Sequence, residues 1–284
     1  MEPSVVRTVA QLDDALMPSR LASSPVAYVP TLGALHDGHA SLMRVARRLG
    51  DVVVASIFVN PTQFGPGEDL QKYPRSLDAD LDMCSRENVD IVYVPAVETI
   101  YPEGTQGITI DPGPAGDLLE GQRRPQHFRG VLTVVAKLFA MVRPSHAVFG
   151  EKDYQQLVLV RAMVHDLCVA TDIVGVPTVR EPDGLALSSR NRFLDPVQRL
   201  AATALARALF AGQSAGSAGA EGVMSAARAV LEASAGVEVD YLALTAPDLS
   251  EPVEHGPARL LGAVRVGTTR LIDNVSVSLG IDSP

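Results

Sequence analysis

The sequence predicts an α/β protein, a doubly wound parallel sheet followed by a smaller α+β domain. Two observations carry that prediction. Between residues 26 and 177, short β-branched runs alternate with stretches of helical periodicity, which is the pattern of repeated βαβ units. Beyond Pro177 the texture changes to Ala-rich helices and longer strand-like runs.

The first unit begins with Val26-Ala27-Tyr28-Val29, read as a short strand. A turn-rich stretch, Pro30 to His39, follows. Leu42, Val45, Ala46 and Leu49 then recur at i, i+3, i+4 and i+7, one face of a helix. Residues 52–59 form a continuous apolar run, as expected of a strand buried on both faces. Such a unit implies a right-handed crossover. The pattern repeats with a strand over 89–94, a helix over 131–142 stopped by Pro144, and a strand at 147–149. A helix over 155–164 and a strand over 173–176 follow, closed by Pro177. Further on, helices are predicted at 201–210 and 221–235, joined by a small-residue stretch, 212–219, that reads as a flexible connection. Strands are expected at 237–244, 259–266 and 269–277. These elements divide into a Rossmann-like domain, residues 1–178, and a smaller α+β lid domain, residues 179–284.

Of the 284 residues, 46% are apolar and 20% charged, a core-forming composition. No apolar run is long enough to span a bilayer, and Asp13 and Asp14 precede any apolar stretch, unlike a secretory signal. A cytoplasmic protein without a membrane partner is expected. The net charge of −9 opposes a role in gripping nucleic acid, which needs a basic field. Cys84 and Cys168 form no CxxC and no metal-ligand spacing, and read as two buried reduced thiols.

Several clusters carry chemistry. His36-Asp37-Gly38-His39 lies between a strand and a helix, where open parallel sheets bind ligands. The helix start offers N–H groups and partial positive charge for phosphate. His36 and His39, three apart, share one face of the first turn and can stabilise charge on phosphate oxygens. The pair lacks the Glu of HExxH and a clear third ligand, so no metal site is predicted. Neither GxxxxGK[ST] nor GxGxxG is present.

Gly150-Glu151-Lys152-Asp153 also follows a strand and opens a helix. Lys152 suits a polyphosphate, while Lys-Asp at a helix start also fits simple capping. Leu187-Ser188-Ser189-Arg190 can wrap phosphate oxygens as a closing lid, or form an ordinary polar loop. Asn60 and Gln63 follow the second strand, and neutral amides fix hydroxyls and carboxylates. Arg124 and His127 add local positive potential to an acidic protein, and with Asn60 and Gln63 they are candidate substrate-binding residues.

Four segments together resemble one family. Residues 30–39 (PTLGALHDGH), 58–64 (FVNPTQF), 149–156 (FGEKDYQQ) and 187–191 (LSSRN) are similar to blocks of the pantothenate synthetases, in the family's order. That family belongs to the nucleotidyltransferases with a HIGH-like motif. The resemblance implies an ATP-dependent ligase that activates pantoate as an acyl-adenylate and joins it to β-alanine. It implies ATP contacts at Leu32, Gly33, Ala34, Leu35, His36, Asp37, Gly38 and His39. Further ATP contacts are implied at Gly150, Glu151, Lys152, Asp153, Val179, Leu187, Ser188, Ser189 and Arg190. Pantoate maps onto Gln63 and Gln156, β-alanine near Gln63, and the proton donor onto His39. Mg²⁺ carried on the ATP phosphates and a homodimer are implied as well. Leu32 and Leu187 replace a common Met, and Asp37 a common Glu, which conserve volume and charge. The rival expectations are another nucleotidyltransferase of this type, or a nucleotide-binding sensor without catalysis.

Overall fold

The computed structural model describes residues 2–105 and 107–280. The chain forms two compact units. The first comprises Met1–Gly150 and Gln156–Pro177, the second Glu151–Gln155 and Thr178–Pro284.

In chain order the elements begin with β1 (Ser4–Val6), α1 (Val9–Ala22), β2 (Val26–Thr31), α2 (Asp37–Leu49), β3 (Val52–Ile57), α3 (Leu77–Arg86) and β4 (Ile91–Tyr93). Then come α4 (Val97–Ile100), α5 (Leu119–Arg123), α6 (His127–Val142), β5 (His146–Gly150), α7 (Tyr154–Asp166) and β6 (Asp172–Val176). The last five are α8 (Pro196–Ser214), α9 (Gly219–Glu232), β7 (Glu238–Thr245), β8 (Gly256–Val266) and β9 (Thr269–Leu279).

The first unit is built on a parallel six-stranded sheet in the order β1-β4-β3-β2-β5-β6. The chain moves outward from β2 through β3 to β4, then returns to the other side of β2 to add β5 and β6. Strand order therefore reverses between β2 and β5, and the carboxyl ends there mark the ligand position of open α/β sheets. β2 pairs with β3 from Val26↔Val52 to Thr31↔Ile57, whereas its pairing with β5 is confined to Ala27↔His146 and Tyr28↔Ala147. Beyond Tyr28 the two strands no longer share a ladder, which opens the sheet where the loops leave it.

Both faces are covered, as the unbroken apolar strands predict. One face packs Leu12 and Leu16 of α1 and the apolar side of α6, from Phe128 to Val142, onto Tyr28, Val54 and Tyr93. The other packs Leu42, Met43 and Ala46 of α2 and Cys84 of α3 onto Val29, Val53 and Val92. The helix α1 has no strong apolar periodicity, but Thr8 and Gln11 form a reciprocal capping box at its start.

In the second unit, β7, β8 and β9 form an antiparallel sheet. Leu205 and Leu209 of α8 and Val223, Ala227 and Leu231 of α9 share a core with the apolar residues of β8 and β9. The expected flexible connection at 212–219 is instead structured. The helix α8 continues to Ser214, and Gly216–Ala218 form a 3-10 turn. A Cβ at Gly216 would collide with the Ser278 carbonyl oxygen, so its smallness serves close packing.

Among the described residues no helix is long and apolar enough to cross a membrane. One expectation for the thiols needs correction. Cys84 is buried, but Cys168, in the turn just past the end of α7, is exposed. Burial, reinforced by the negative charge of Asp80, pushes the Cys84 thiol up to about 12. A thiol-reactive chromophore is therefore expected to titrate Cys168 at once in the native protein. Cys84 should react only after denaturant is added, and rapid modification of both would contradict this burial.

Candidate active site

The loop between β2 and α2 carries an unusual backbone. Gly33 and Ala34 both have positive φ, 82° and 51°. Such a pair is strained for an L-residue and persists only where surrounding groups determine it. The determining group is Asp80 on α3. Its buried carboxylate accepts the Ala34 N–H at 2.9 Å and the Leu35 N–H at 2.8 Å, and Ser76 Oγ lies 3.2 Å from it. A Cβ at Gly33 would come within 2.9 Å of that same carboxylate. Gly33 is thus fixed both by its φ and by the approach of Asp80.

At the start of α2 the two histidines cap the helix reciprocally. His36 Nδ1 accepts the Gly38 N–H at 3.2 Å, and the His36 N–H donates to His39 Nδ1 at 3.3 Å. The rings lie 4.2 Å apart, on one face as the spacing predicts. With both Nδ1 atoms accepting, the ring protons reside on Nε2. The N–H groups expected to face phosphate are largely engaged within the protein. Gly38 bonds His36, the His39 N–H bonds the His36 carbonyl at 2.7 Å, and Asp80 takes Ala34 and Leu35.

A second constellation centres on Gln63, in the 3-10 turn Pro61–Gln63 after β3. Asn60 is fully buried, and its side chain is spent on the protein itself. Its Nδ2 donates to Gln63 Oε1 at 3.1 Å and to the Gly130 carbonyl at 3.2 Å. Its Oδ1 accepts from the Tyr101 hydroxyl at 2.7 Å and from Thr62 Oγ1 at 3.0 Å. The bond from Asn60 makes Nε2 the donor end of Gln63. Gly130 lets α6 approach this turn, since a Cβ there would collide with the Thr62 carbonyl oxygen.

Arg124 and His127 lie behind the same residue. Arg124 forms a two-point ion pair with Glu68, at 2.8 and 2.7 Å, and approaches His127 Nε2 at 3.1 Å. His127 Nδ1 lies 2.8 Å from the Gln63 carbonyl oxygen. These bonds require the Nδ1–H tautomer, with Nε2 accepting from Arg124. Burial, with the neighbouring Arg124 charge, lowers the His127 pKa to about 4, so the ring is neutral near pH 7. The cation of this pair is Arg124, and Glu68 offsets it.

In the second unit, Glu151–Asp153 form a 3-10 turn that directly follows β5 in sequence. Lys152 Nζ lies 3.6 Å from Asp153 Oδ1. Val179 and Leu187 close a loop, with the Leu187 N–H on the Val179 carbonyl at 2.9 Å. Ser188 Oγ accepts the Arg190 N–H at 3.2 Å and caps the turn Ser189–Phe193. Gln156 belongs to α7, in the part of that helix counted with the first unit.

Asp80 and Glu68 were not among the residues that the sequence points to. An acidic residue in a helix's first turn reads as a partner for the dipole, and Glu68 reads as solvated. Among the described residues no group of three or more His, Cys, Asp or Glu could hold a metal ion.

The first unit thus carries an imidazole pair at the switch point of a parallel sheet, and the second a lysine turn and a Ser-Ser-Arg loop, which makes the chain an α/β protein with clusters of phosphate-suited side chains. The comparisons narrow the class. Residues 4–276 match the model of the pantoate-beta-alanine ligase family. The chain is 55% identical over 293 residues to the pantothenate synthetase of Nocardioides sp., covering 99% of this chain and 87% of that one. It is 56% identical over 279 residues to that of Nocardia farcinica, covering 98% and 86%. The crystal structure of the Thermus thermophilus pantothenate synthetase superposes with a TM-score of 0.90 at 46% identity, covering 96% of this chain and 98% of that one. The Francisella tularensis pantoate-beta-alanine ligase, complexed with beta-gamma ATP and β-alanine, gives 0.81 at 34% identity, covering 96% and 97%. This chain belongs to the pantoate–β-alanine ligase family.

Two outcomes follow from the geometry. Asp80→Ala strands two backbone N–H groups, at about 1–3 kcal/mol each, and should lower the urea midpoint and raise the KM for ATP. An unchanged midpoint and KM would show the loop to be self-supporting. For His127 the folded pKa lies below the unfolded value of 6.5, so between about 6.5 and 4 the unfolded chain binds more protons. Its contribution is full above 6.5 and is lost as pH falls toward 4. The stability difference between wild type and His127→Asn, measured by urea melts, should shrink over that window by up to about 1.4 kcal/mol per pH unit.

Proposed function

We infer that this chain condenses pantoate with β-alanine, driven by conversion of ATP to AMP and pyrophosphate. The family match over residues 4–276 is the observation that carries this reading. The ATP analogue and β-alanine in the Francisella tularensis relative agree with it.

In the proposed first step a pantoate carboxylate oxygen attacks the α-phosphorus. The bond between that phosphorus and the bridging oxygen breaks, and pyrophosphate leaves. Negative charge grows on phosphoryl oxygens, where preorganised donors contribute most. His36, His39, Lys152, Ser188, Ser189 and Arg190 are assigned that role. The Nδ1 caps support the assignment for the histidines, since they orient Nε2–H as the donor. ATP is contacted by residues 32–39 of the first unit, including Leu32 and Asp37, by the 150–153 segment, by Val179 and by residues 187–190. Mg²⁺ bound with ATP would offset the charge of its phosphates.

In the second step the β-alanine amine attacks the carbonyl carbon of the acyl-adenylate. AMP departs with the electron pair of the broken acyl carbon–oxygen bond, and the proton lost by the amine passes to water. His39 is assigned as proton donor, while Gln63 and Gln156 hold pantoate, with β-alanine also at Gln63. Asn60, Arg124 and His127 serve the substrate through Gln63, because their bonds converge on its amide and carbonyl. The acyl-adenylate hydrolyses readily, so residues 179–284 are assigned as a lid that excludes water during reaction. The proposed working form is a cytoplasmic homodimer, which light scattering tests.

Isotope exchange between pyrophosphate and ATP tests the chemistry. Exchange should require pantoate and proceed without β-alanine; exchange independent of pantoate points to another nucleotidyltransferase, and ATP binding without exchange to a sensor. His39→Ala and Lys152→Ala should each lower the exchange rate on the order of 10²–10³-fold, as for loss of one preorganised donor.

A further inference from the structure

Two adjacent polar residues interrupt the apolar alternation of β9. Asp273 and Asn274 are both buried, at 4% and 3% exposure. Such residues are poor strand formers and costly to bury without partners. Their partners are the two segments of the second unit to which ATP contacts have been assigned.

Asn274 Nδ2 donates to the carbonyl oxygens of Glu151 and Lys152, each at 2.9 Å. Its Oδ1 accepts from Arg259 Nε at 2.7 Å. Arg259 in turn pairs with the Glu151 carboxylate at 2.8 Å and stacks over the Tyr154 ring, 4.0 Å from its centroid. The turn carrying Lys152 is thereby held from both its main chain and its side chains. Asp273 binds the Arg180 guanidinium at two points, 2.5 and 2.9 Å. Arg180 Nη2 also donates to the Asn274 carbonyl at 3.3 Å, and Nη1 to that of Gly184 at 3.0 Å. The loop from Val179 to Leu187 is thus tied to the preceding residue of the same strand.

We propose that Asn274 is a positioning residue for Lys152, and that Asp273 couples the loop leading to Ser188 and Arg190 to the same point of β9. The lysine turn and the Ser-Ser-Arg loop then move as one body. This rests on the reading that Lys152 acts on the phosphates. Neither β9 residue touches substrate; each acts through the group that it holds.

Asn274→Asp is the discriminating variant. It keeps the acceptor for Arg259 but turns a carboxylate oxygen toward two carbonyl oxygens. Pantoate-dependent exchange should fall about 10–100-fold, as when the outer partner of a functional ligand is lost. The KM for pantoate should stay unchanged. In the double variant with Lys152→Ala, the aspartate should add no further loss, because a residue acting through Lys152 has nothing left to position. Wild-type exchange in Asn274→Asp, or losses that multiply in full in the double variant, would overturn the positioning role. If Asn274→Asp does not fold, Arg259→Lys decides. It preserves the charge opposite Glu151 and removes the Nε donor to Asn274, and the same two criteria apply. Wild-type exchange in Lys152→Ala alone would instead overturn the underlying reading of Lys152.

Discussion

A carboxylate on a neighbouring helix holds the first unit's loop in a shape that its own residues do not favour. The backbone leaving β2 turns left-handed at Gly33 and Ala34, and Asp80 takes the two N–H groups that this turn aligns. Without that acceptor the strained conformation would keep only the Gly33 N–H bond to Thr31 Oγ1 and lose the two that compensate it at Ala34 and Leu35. With it, His36 enters the N-cap position in an extended conformation and α2 begins where the sheet opens between β2 and β5. The burial of Asp80 among α3 packing residues therefore links a helix on one face of the sheet to the geometry of the loop at its edge.

The second unit uses the same device in another form. There the strand β9 supplies the fixed point, and Asp273 and Asn274 reach carbonyl groups and a guanidinium on segments far from it in sequence. Polar groups buried in this manner are costly unless every bond is made, so they define one arrangement sharply. Apolar packing of α8 and α9 on the sheet could tolerate small shifts. The network around Asn274 could not, since each of its amide atoms has a designated partner.

The fold was legible where packing repeats with a period. The β-branched runs 52–59 and 173–176 and the helical face of Leu42, Val45, Ala46 and Leu49 all correspond to observed elements. The helix α1 escaped because its stability comes from a capping box and two buried leucines rather than a continuous apolar stripe. The stretch from Gly212 to Gly219 misled for a different reason. Small residues signal flexibility when solvated but close approach when packed, and composition does not distinguish the two. The motifs around His36, Gln63, Lys152 and Ser188 were visible because several unusual residues are contiguous. Asp80 was not, since one acidic residue in a first turn has an ordinary explanation. Asp273-Asn274 did leave a signal, a polar pair inside a strand pattern, which reads as solvent-facing until its partners are known.

The histidine pair shows why capping and chemistry coincide here. A capping box ordinarily uses a hydroxyl and a carboxylate or amide, whose polar atoms are consumed by the backbone. An imidazole has two nitrogens on opposite edges of the ring. When Nδ1 accepts from the backbone, the proton is fixed on Nε2, and the ring becomes an oriented donor rather than a tautomeric mixture. His36 and His39 both do this, so the bonds that end the loop and start α2 also set the hydrogen-bonding sense of the two rings. The same holds in reverse at His127, where Arg124 occupies Nε2 and the proton is directed from Nδ1 to Gln63. In each case backbone and ion-pair geometry decide the proton's place before any ligand arrives. Positioned donors of that kind need no reorganisation as charge develops, which is the property that the role proposed for His36 and His39 in adenylate formation demands.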